Sequence, residues 1–189
     1  MPDLLDARKL GNREIEMLHA SRTAPSALAE CIVWLHNIRS MHNVGSVFRT
    51  CDAFGIGTVA LSGFTPAPPR PEISKAALGA DAFVSWIHEE NAENMLNRLR
   101  VAKYTLCAIE QTTASKPIFA LRSINTPAQK ICFLFGNEVN GVDEALIREA
   151  EHVFEIPQFG KKHSLNVSVS AGVVLFQYLS SLLPIEATP

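Results

Sequence analysis

Short apolar runs alternate along the chain with stretches whose apolar residues recur at helical spacing. Residues 31–35 (CIVWL), 58–62 (TVALS), 82–86 (AFVSW), 105–110 (TLCAIE), 131–135 (ICFLF) and 153–157 (VFEIP) are rich in β-branched and aromatic side chains and are bounded by turn residues. They are predicted as strands. Between them, Val44, Val47, Phe48, Cys51 and Phe54 share one helical face, and Gly55 supplies a stop. Residues 91–103 repeat the pattern with Met95, Leu96, Leu99 and Ala102. Residues 143–151 open on Asp143, a suitable N-cap, and 165–183 form a long, mostly apolar helix. This alternation predicts an α/β domain with a mainly parallel sheet of about six strands and helices on both faces. Residues 1–25 are expected to be a short helical extension and connector, with the domain at 26–189. The proline-rich piece 66–71 is one loop of that domain.

Composition narrows the function classes. The chain has 189 residues, 47% of them hydrophobic, enough for one domain with a real core. Its net charge of -2 is not that of a globally basic nucleic-acid binder, so any phosphate contact must rest on local clusters. Cys31, Cys51, Cys107 and Cys132 form no CxxC pair and fall in apolar runs, the usage of small buried hydrophobes in a reducing compartment. The six histidines show no metal-ligand spacing. The N-terminus is too charged for a signal peptide, and the apolar stretch 167–183 is broken by Ser, Gly and Gln. A cytoplasmic protein without a membrane span is expected.

Three loops hold polar residues that a plain core does not need, and each follows a predicted strand, where ligands gather in open α/β sheets. The first contains Asn37, Arg39, Asn43, Gly45 and Arg49; Asn43 could cap a helix there, and Gly45 could let backbone approach a ligand. The second, Phe135-Gly136-Asn137-Glu138-Val139-Asn140-Gly141, brackets a carboxylate and two amides with glycines. The third runs from Ile156 through Lys161, Lys162 and His163 to Ser164, Leu165, Asn166 and Ser168. Each has an ordinary structural explanation: a capped helix with a surface arginine, a strand-to-helix turn, a capped core helix behind solvated charges.

Taken in order and spacing, the three resemble the motifs of the SpoU (TrmH-like) RNA ribose 2′-O-methyltransferase family of the SPOUT superfamily. The first carries Asn43, Gly45, Arg49 and Phe54-Gly55; the second, Phe-Gly-Asn-Glu-x-x-Gly at 135–141; the third, Ile-Pro-x-x-Gly and then Ser-Leu-Asn-Val-Ser at 164–168. The resemblance spans about residues 31–183. Ser170 stands where many family members have alanine.

The resemblance implies a deep C-terminal trefoil knot, and S-adenosyl-L-methionine bound by Ile109, Glu110, Gln111, Gly136, Asn137, Ile156, Ser164, Leu165 and Asn166. It implies methyl transfer to a ribose 2′-hydroxyl without a metal, with Arg49 at the reacting oxygen and Asn43, Glu138, Ser164 and Asn166 around it. Arginine stays protonated in proteins, so it is expected to hold the adjacent phosphate and orient the hydroxyl while the proton leaves to phosphate or water. RNA contacts are expected from Arg39, Arg70, Lys75, Lys161 and Lys162, with Arg8 and Arg13 contributed by a partner subunit. Transfer RNA is the first expectation and ribosomal RNA the alternative. A homodimer is expected through the last helix, by Ser168, Ala171, Gly172, Leu175, Tyr178 and Leu179. An inactive RNA-binding module on the same fold is the main alternative; a doubly wound nucleotide-binding protein is disfavoured because GxGxxG and Walker loops are missing.

Overall fold

The computed structural model describes residues 8–124, 130–162 and 164–183; the start of the N-terminal extension, His163 and the end of the C-terminal segment lie outside the described residues. The chain runs α1 (Asn12–Ser21), α2 (Ser26–Ala29), β1 (Ile32–His36), α3 (Met41–Phe54), β2 (Thr58–Ser62), α4 (Pro71–Ala77), β3 (Ser85–Glu89), α5 (Ala92–Val101), β4 (Thr105–Ile109), β5 (Lys116–Pro117), α6 (Leu121–Ile124), β6 (Ile131–Phe135), α7 (Glu144–Glu149), β7 (His152–Glu155) and α8 (Val167–Leu182). The strands form one seven-stranded sheet ordered β3-β2-β1-β6-β4-β7-β5, with every pairing parallel.

Parallel strands must be buried on both sides, and strand alternation divides their side chains between two cores. Val33, Leu35, Val59, Leu61, Phe133 and Phe135 point to the face covered by α3, α4 and α8. Ile32, Trp34, Ala60, Leu106, Cys132 and Leu134 point to the face covered by α5 and α7. All four cysteines are buried and unpaired. By contrast, α1 buries none of its residues.

Several expectations need correction. The sheet has seven strands, the extra one being the two-residue β5. The third strand starts at Ser85, not at residue 82, because Ala80–Ala82 form a 3-10 turn. Helix α4 lies in a stretch where no helix was predicted, and Pro71 occupies its first turn. Helix α3 begins three residues before the predicted start. Its cap is Ser40, whose Oγ accepts the Asn43 N–H at 3.3 Å, so Asn43 is not the cap. Gly45 serves packing rather than ligand approach: a Cβ there would collide with the Ile73 carbonyl and with Ala76, so its absence lets α4 cross α3 closely. Asp143 is the first residue before α7 but makes no side-chain cap bond. Its Oδ2 lies 3.0 Å from Nε2 of buried His36.

The expected dimer face of α8 is also turned. Ala171, Leu175 and Tyr178 are buried, and Leu179 packs against the core. The Tyr178 ring meets Phe133 edge-on, centroids 5.3 Å apart. The outward apolar stripe is Val169, Val173 and Phe176, which lines a shallow groove with Phe119 and Pro157.

Candidate functional site: a cleft at the strand ends

Loops leaving the C-terminal ends of β4, β6 and β7 converge on one cleft of about 370 Å³, within the usual size of small-molecule sites. Ile109, Glu110 and Gln111 enter from β4; Gly136, Asn137 and Glu138 from β6; Ile156, Ser164 and Leu165 from the segment after β7. Sequence reasoning therefore placed eight of its nine cofactor residues on one surface; Asn166 is not in the lining. It missed Gln158, Asn140 and Ser170, which also face the cleft. Ser170 thus adds a hydroxyl to the cleft lining.

The loops are fixed by backbone-directed bonds. Both oxygens of Glu110 are engaged: Oε1 accepts the Gln111 N–H at 2.8 Å and Oε2 the Val142 N–H at 2.9 Å. That carboxylate ties the β4 loop to the β6 loop. Asn137 Oδ1 accepts the N–H groups of Val139 and Asn140 at 2.9 and 3.0 Å, turning the backbone in the Asx manner. Its Nδ2 donates to the Asn37 carbonyl at 2.7 Å, reaching across to the β1 loop. A Cβ on Gly136 would meet the Gly141 and Val142 backbone, so only glycine leaves the cradle open. With apolar Ile109, Ile156 and half-exposed Leu165 along the walls, these groups fit an adenosyl ligand: a flat apolar slot edged by main-chain donors and acceptors.

At the edge of the cleft three motif residues form a chain. Asn43 Nδ2 donates to Glu138 Oε1 at 2.9 Å, and Asn166 Nδ2 donates to Asn43 Oδ1 at 3.1 Å. Glu138 also accepts the Arg39 N–H at 2.9 Å and the Ser40 N–H at 3.1 Å. Partial burial alone would raise the Glu138 pKa, but these donors outweigh it and hold the carboxyl below its ordinary range. Asn166 caps α8 as well, its Oδ1 accepting the Ser168 N–H at 2.8 Å.

Arg49 is not part of this chain. It lies on the exposed side of α3, off the apolar stripe, and makes no hydrogen bond or ion pair with the other described residues. Arg39 and Arg70 line a second groove together, while Lys75 lies in the last turn of α4 and Lys161 and Lys162 are exposed in the loop before Ser164. Arg8 is already paired with Glu14 at 2.6 Å; Arg13 is exposed. Among the described residues no three His, Cys, Asp or Glu are grouped as metal ligands, and no helix is long and apolar enough to cross a membrane.

Comparison with known proteins places this geometry. The chain is 27% identical over 148 residues to a tRNA (guanosine(18)-2′-O)-methyltransferase of Aquifex aeolicus, covering 78% of this chain and 68% of that one. It is 31% identical over 141 residues to the 23S rRNA (guanosine-2′-O-)-methyltransferase RlmB of Neisseria meningitidis, covering 75% of this chain and only 54% of that protein. The AdoMet-bound rRNA methyltransferase from Sinorhizobium meliloti superposes with a TM-score of 0.75 at 26% identity, over 92% of this chain and 71% of that one. The model of the SpoU rRNA Methylase family matches residues 30–176, and on that match the chain belongs to this family.

Proposed function

We propose that the chain is an S-adenosyl-L-methionine-dependent methyltransferase acting on a ribose 2′-hydroxyl of RNA, with transfer RNA as substrate. The observation that carries this reading is the Glu138–Asn43–Asn166 chain set at the edge of a glycine-lined cleft. Relatives named for both tRNA and rRNA support the reaction class. The C-terminal trefoil knot and the division into an extension at 1–25 and a domain at 26–189 belong to the same reading, as does a cytoplasmic location.

When bound, the cofactor supplies an electrophilic methyl group. Backbone groups around Gly136 and Ser164 would hold it, with Leu165 on the apolar wall. The protein's own task is alignment and charge. Fixing reactants in line supplies roughly 7–11 kcal/mol of a barrier. Glu138, held ionised and fully engaged, is a weak base; it fixes Asn43 and the β1 loop rather than taking the proton. Arg49, without a partner among the described residues, grips the adjacent phosphate and presents an N–H to the 2′-oxygen, whose growing negative charge it stabilises. The proton leaves to phosphate or water.

Two copies of the chain pair through the outward stripe of α8, with Val169, Val173 and Phe176 beside Phe119. A stable contact buries roughly 1,200–2,000 Å² in total. Light scattering at micromolar concentration gives the dimer mass, and Phe176→Glu gives the monomer.

The test of function is transfer of labelled methyl from S-adenosyl-L-methionine to bulk tRNA, followed by nuclease digestion to find the resistant dinucleotide that a 2′-O-methyl leaves. Label in rRNA alone corrects the substrate; cofactor binding without label in any RNA returns the inactive module.

A further inference from the structure

Loops after β1, β2 and β3 enclose a second groove that shares no lining residue with the cleft. Its walls include Arg39, Phe64, Arg70, His88 and Glu90. Phe64, one of these wall residues, is 61% exposed.

The exposure is built in. On one side of Phe64, the Gly63 N–H donates to the Glu90 carbonyl at 3.1 Å. On the other, Thr65 is buried, its Oγ1 donating to the Ser62 carbonyl at 2.8 Å and accepting the Ile38 N–H at 3.0 Å. The Phe64 N–H itself donates to Asn37 Oδ1 at 3.3 Å. The backbone cannot carry the ring inward without breaking these bonds.

The groove is wired to the site. Asn37 takes the Phe64 N–H on its side chain and the Asn137 amide on its carbonyl. Arg39, on the groove wall, gives its N–H to Glu138. Neither Arg39 nor Arg70 makes an ion pair with the other described residues, and Glu90 is the one carboxylate in the lining.

An exposed aromatic ring in a groove that two arginines also line suits a nucleotide whose base is free to stack and whose phosphates are free to pair. Bases inside a duplex present no free face, whereas unpaired bases do. We propose that Phe64 is a stacking platform for an unpaired base of the substrate RNA, with Arg39 and Arg70 on the flanking phosphates. This rests on the RNA methyltransferase reading above and sharpens it: the enzyme takes single-stranded RNA, a loop or an open segment, rather than a helix.

The test compares binding of a fluorescein-labelled, mixed-sequence single-stranded oligoribonucleotide with binding of the same strand annealed into a duplex. The proteins are the native chain, Phe64→Ala, Phe64→Leu, Phe64→Trp and, as a remote exposed aromatic, Phe83→Ala. Native protein binds the single strand more tightly. Phe64→Ala and Phe64→Leu weaken that binding by roughly five- to a hundredfold, the range for losing one stacked base. Phe64→Trp restores it. Phe83→Ala, the duplex affinity, the melting temperature and S-adenosyl-L-methionine affinity do not change. Native-like binding by Phe64→Leu, an equal loss in Phe83→Ala, or equal affinity for the duplex overturns the platform while native methyl transfer to RNA still stands. If native protein binds and methylates neither RNA, the RNA reading itself falls.

Discussion

The two faces of the sheet bury strands of similar composition under helices of very different kinds. Under α5 and α7 the cover is amphipathic in the ordinary way. Met95, Leu96 and Leu99 point inward, while Arg98 meets Glu89 at 3.3 Å and Arg100 pairs with Glu149 at the surface. Such exposed pairs contribute little, so burial holds this face together. On the other face α3 and α8 carry small residues where helices cross, Gly45 against α4 and Gly172 beside Thr50, and α8 has no charged residue. The hydrogen-bonded chain at the site draws Asn43 from α3 and Asn166 from the start of α8. Neither α5 nor α7 lines the cleft. One face is scaffold and the other both scaffold and machine.

The largest expected effect lies on the scaffold face. Leu99→Ala empties a buried position and costs about 2–5 kcal/mol of stability, read by denaturant unfolding. Methyl transfer per folded molecule stays native; a fall in turnover there would mean the faces are not separable. Next comes Arg49. Both Arg49→Ala and Arg49→Lys should lower turnover about a hundredfold, the scale for one preorganised donor, with melting and cofactor affinity unchanged. Near-native turnover in Arg49→Lys would reduce its role to bare charge, because lysine cannot reproduce the guanidinium fork.

Asn166 joins both roles in one side chain. Asn166→Ala should cost about 1 kcal/mol through the lost cap and also slow catalysis. Asn166→Asp keeps the acceptor for the Ser168 N–H but loses the donor to Asn43. It should therefore melt near the native temperature yet remain slow, and recovery of rate by the aspartate would assign the whole effect to the cap. The smallest effect is a pH dependence. The folded-state pKa of Glu138 is lowered, so its stabilisation is present above the ordinary carboxylate range and is lost as pH falls through the lowered value. The gap in melting temperature between native protein and Glu138→Gln should narrow in acid. A gap that persists there would show that the charge is not what the N–H donors recognise.

The same contrast explains what could be read from sequence. Buried strands such as β1 and β6 announce themselves as bounded apolar runs, and α5 by its stripe. The edge strand β3 is mostly exposed, so its apolar signal drifted onto Ala82 and Phe83 beside it. Two residues of β5, one a proline, carry no periodicity at all. Helix α4 hid behind its prolines, although proline in a first turn is favourable. At the site the motif residues were legible by resemblance; Asn43, Glu138 and Asn166 are joined and Ser164 lines the cleft, while Arg49 stands apart on α3. What sequence could not carry was long-range geometry: Asn37, at φ +56°, bridges the second groove to the cleft only because two loops meet there.

The four buried cysteines give the molecule a built-in clock. Burial pushes the Cys107 thiol up to about 12 and those of Cys31, Cys51 and Cys132 upward as well, so thiolate is scarce in the folded state. An alkylating reagent attacks the thiolate and needs access to it. Labelling therefore waits on opening events. Cys51 sits on α3, beneath the machine face, and Cys132 points to the scaffold face. Mass-resolved labelling of the two would report whether the faces open together or one before the other. A reagent ordinarily used to count free thiols would thus measure how cooperatively this sheet lets go of its two covers.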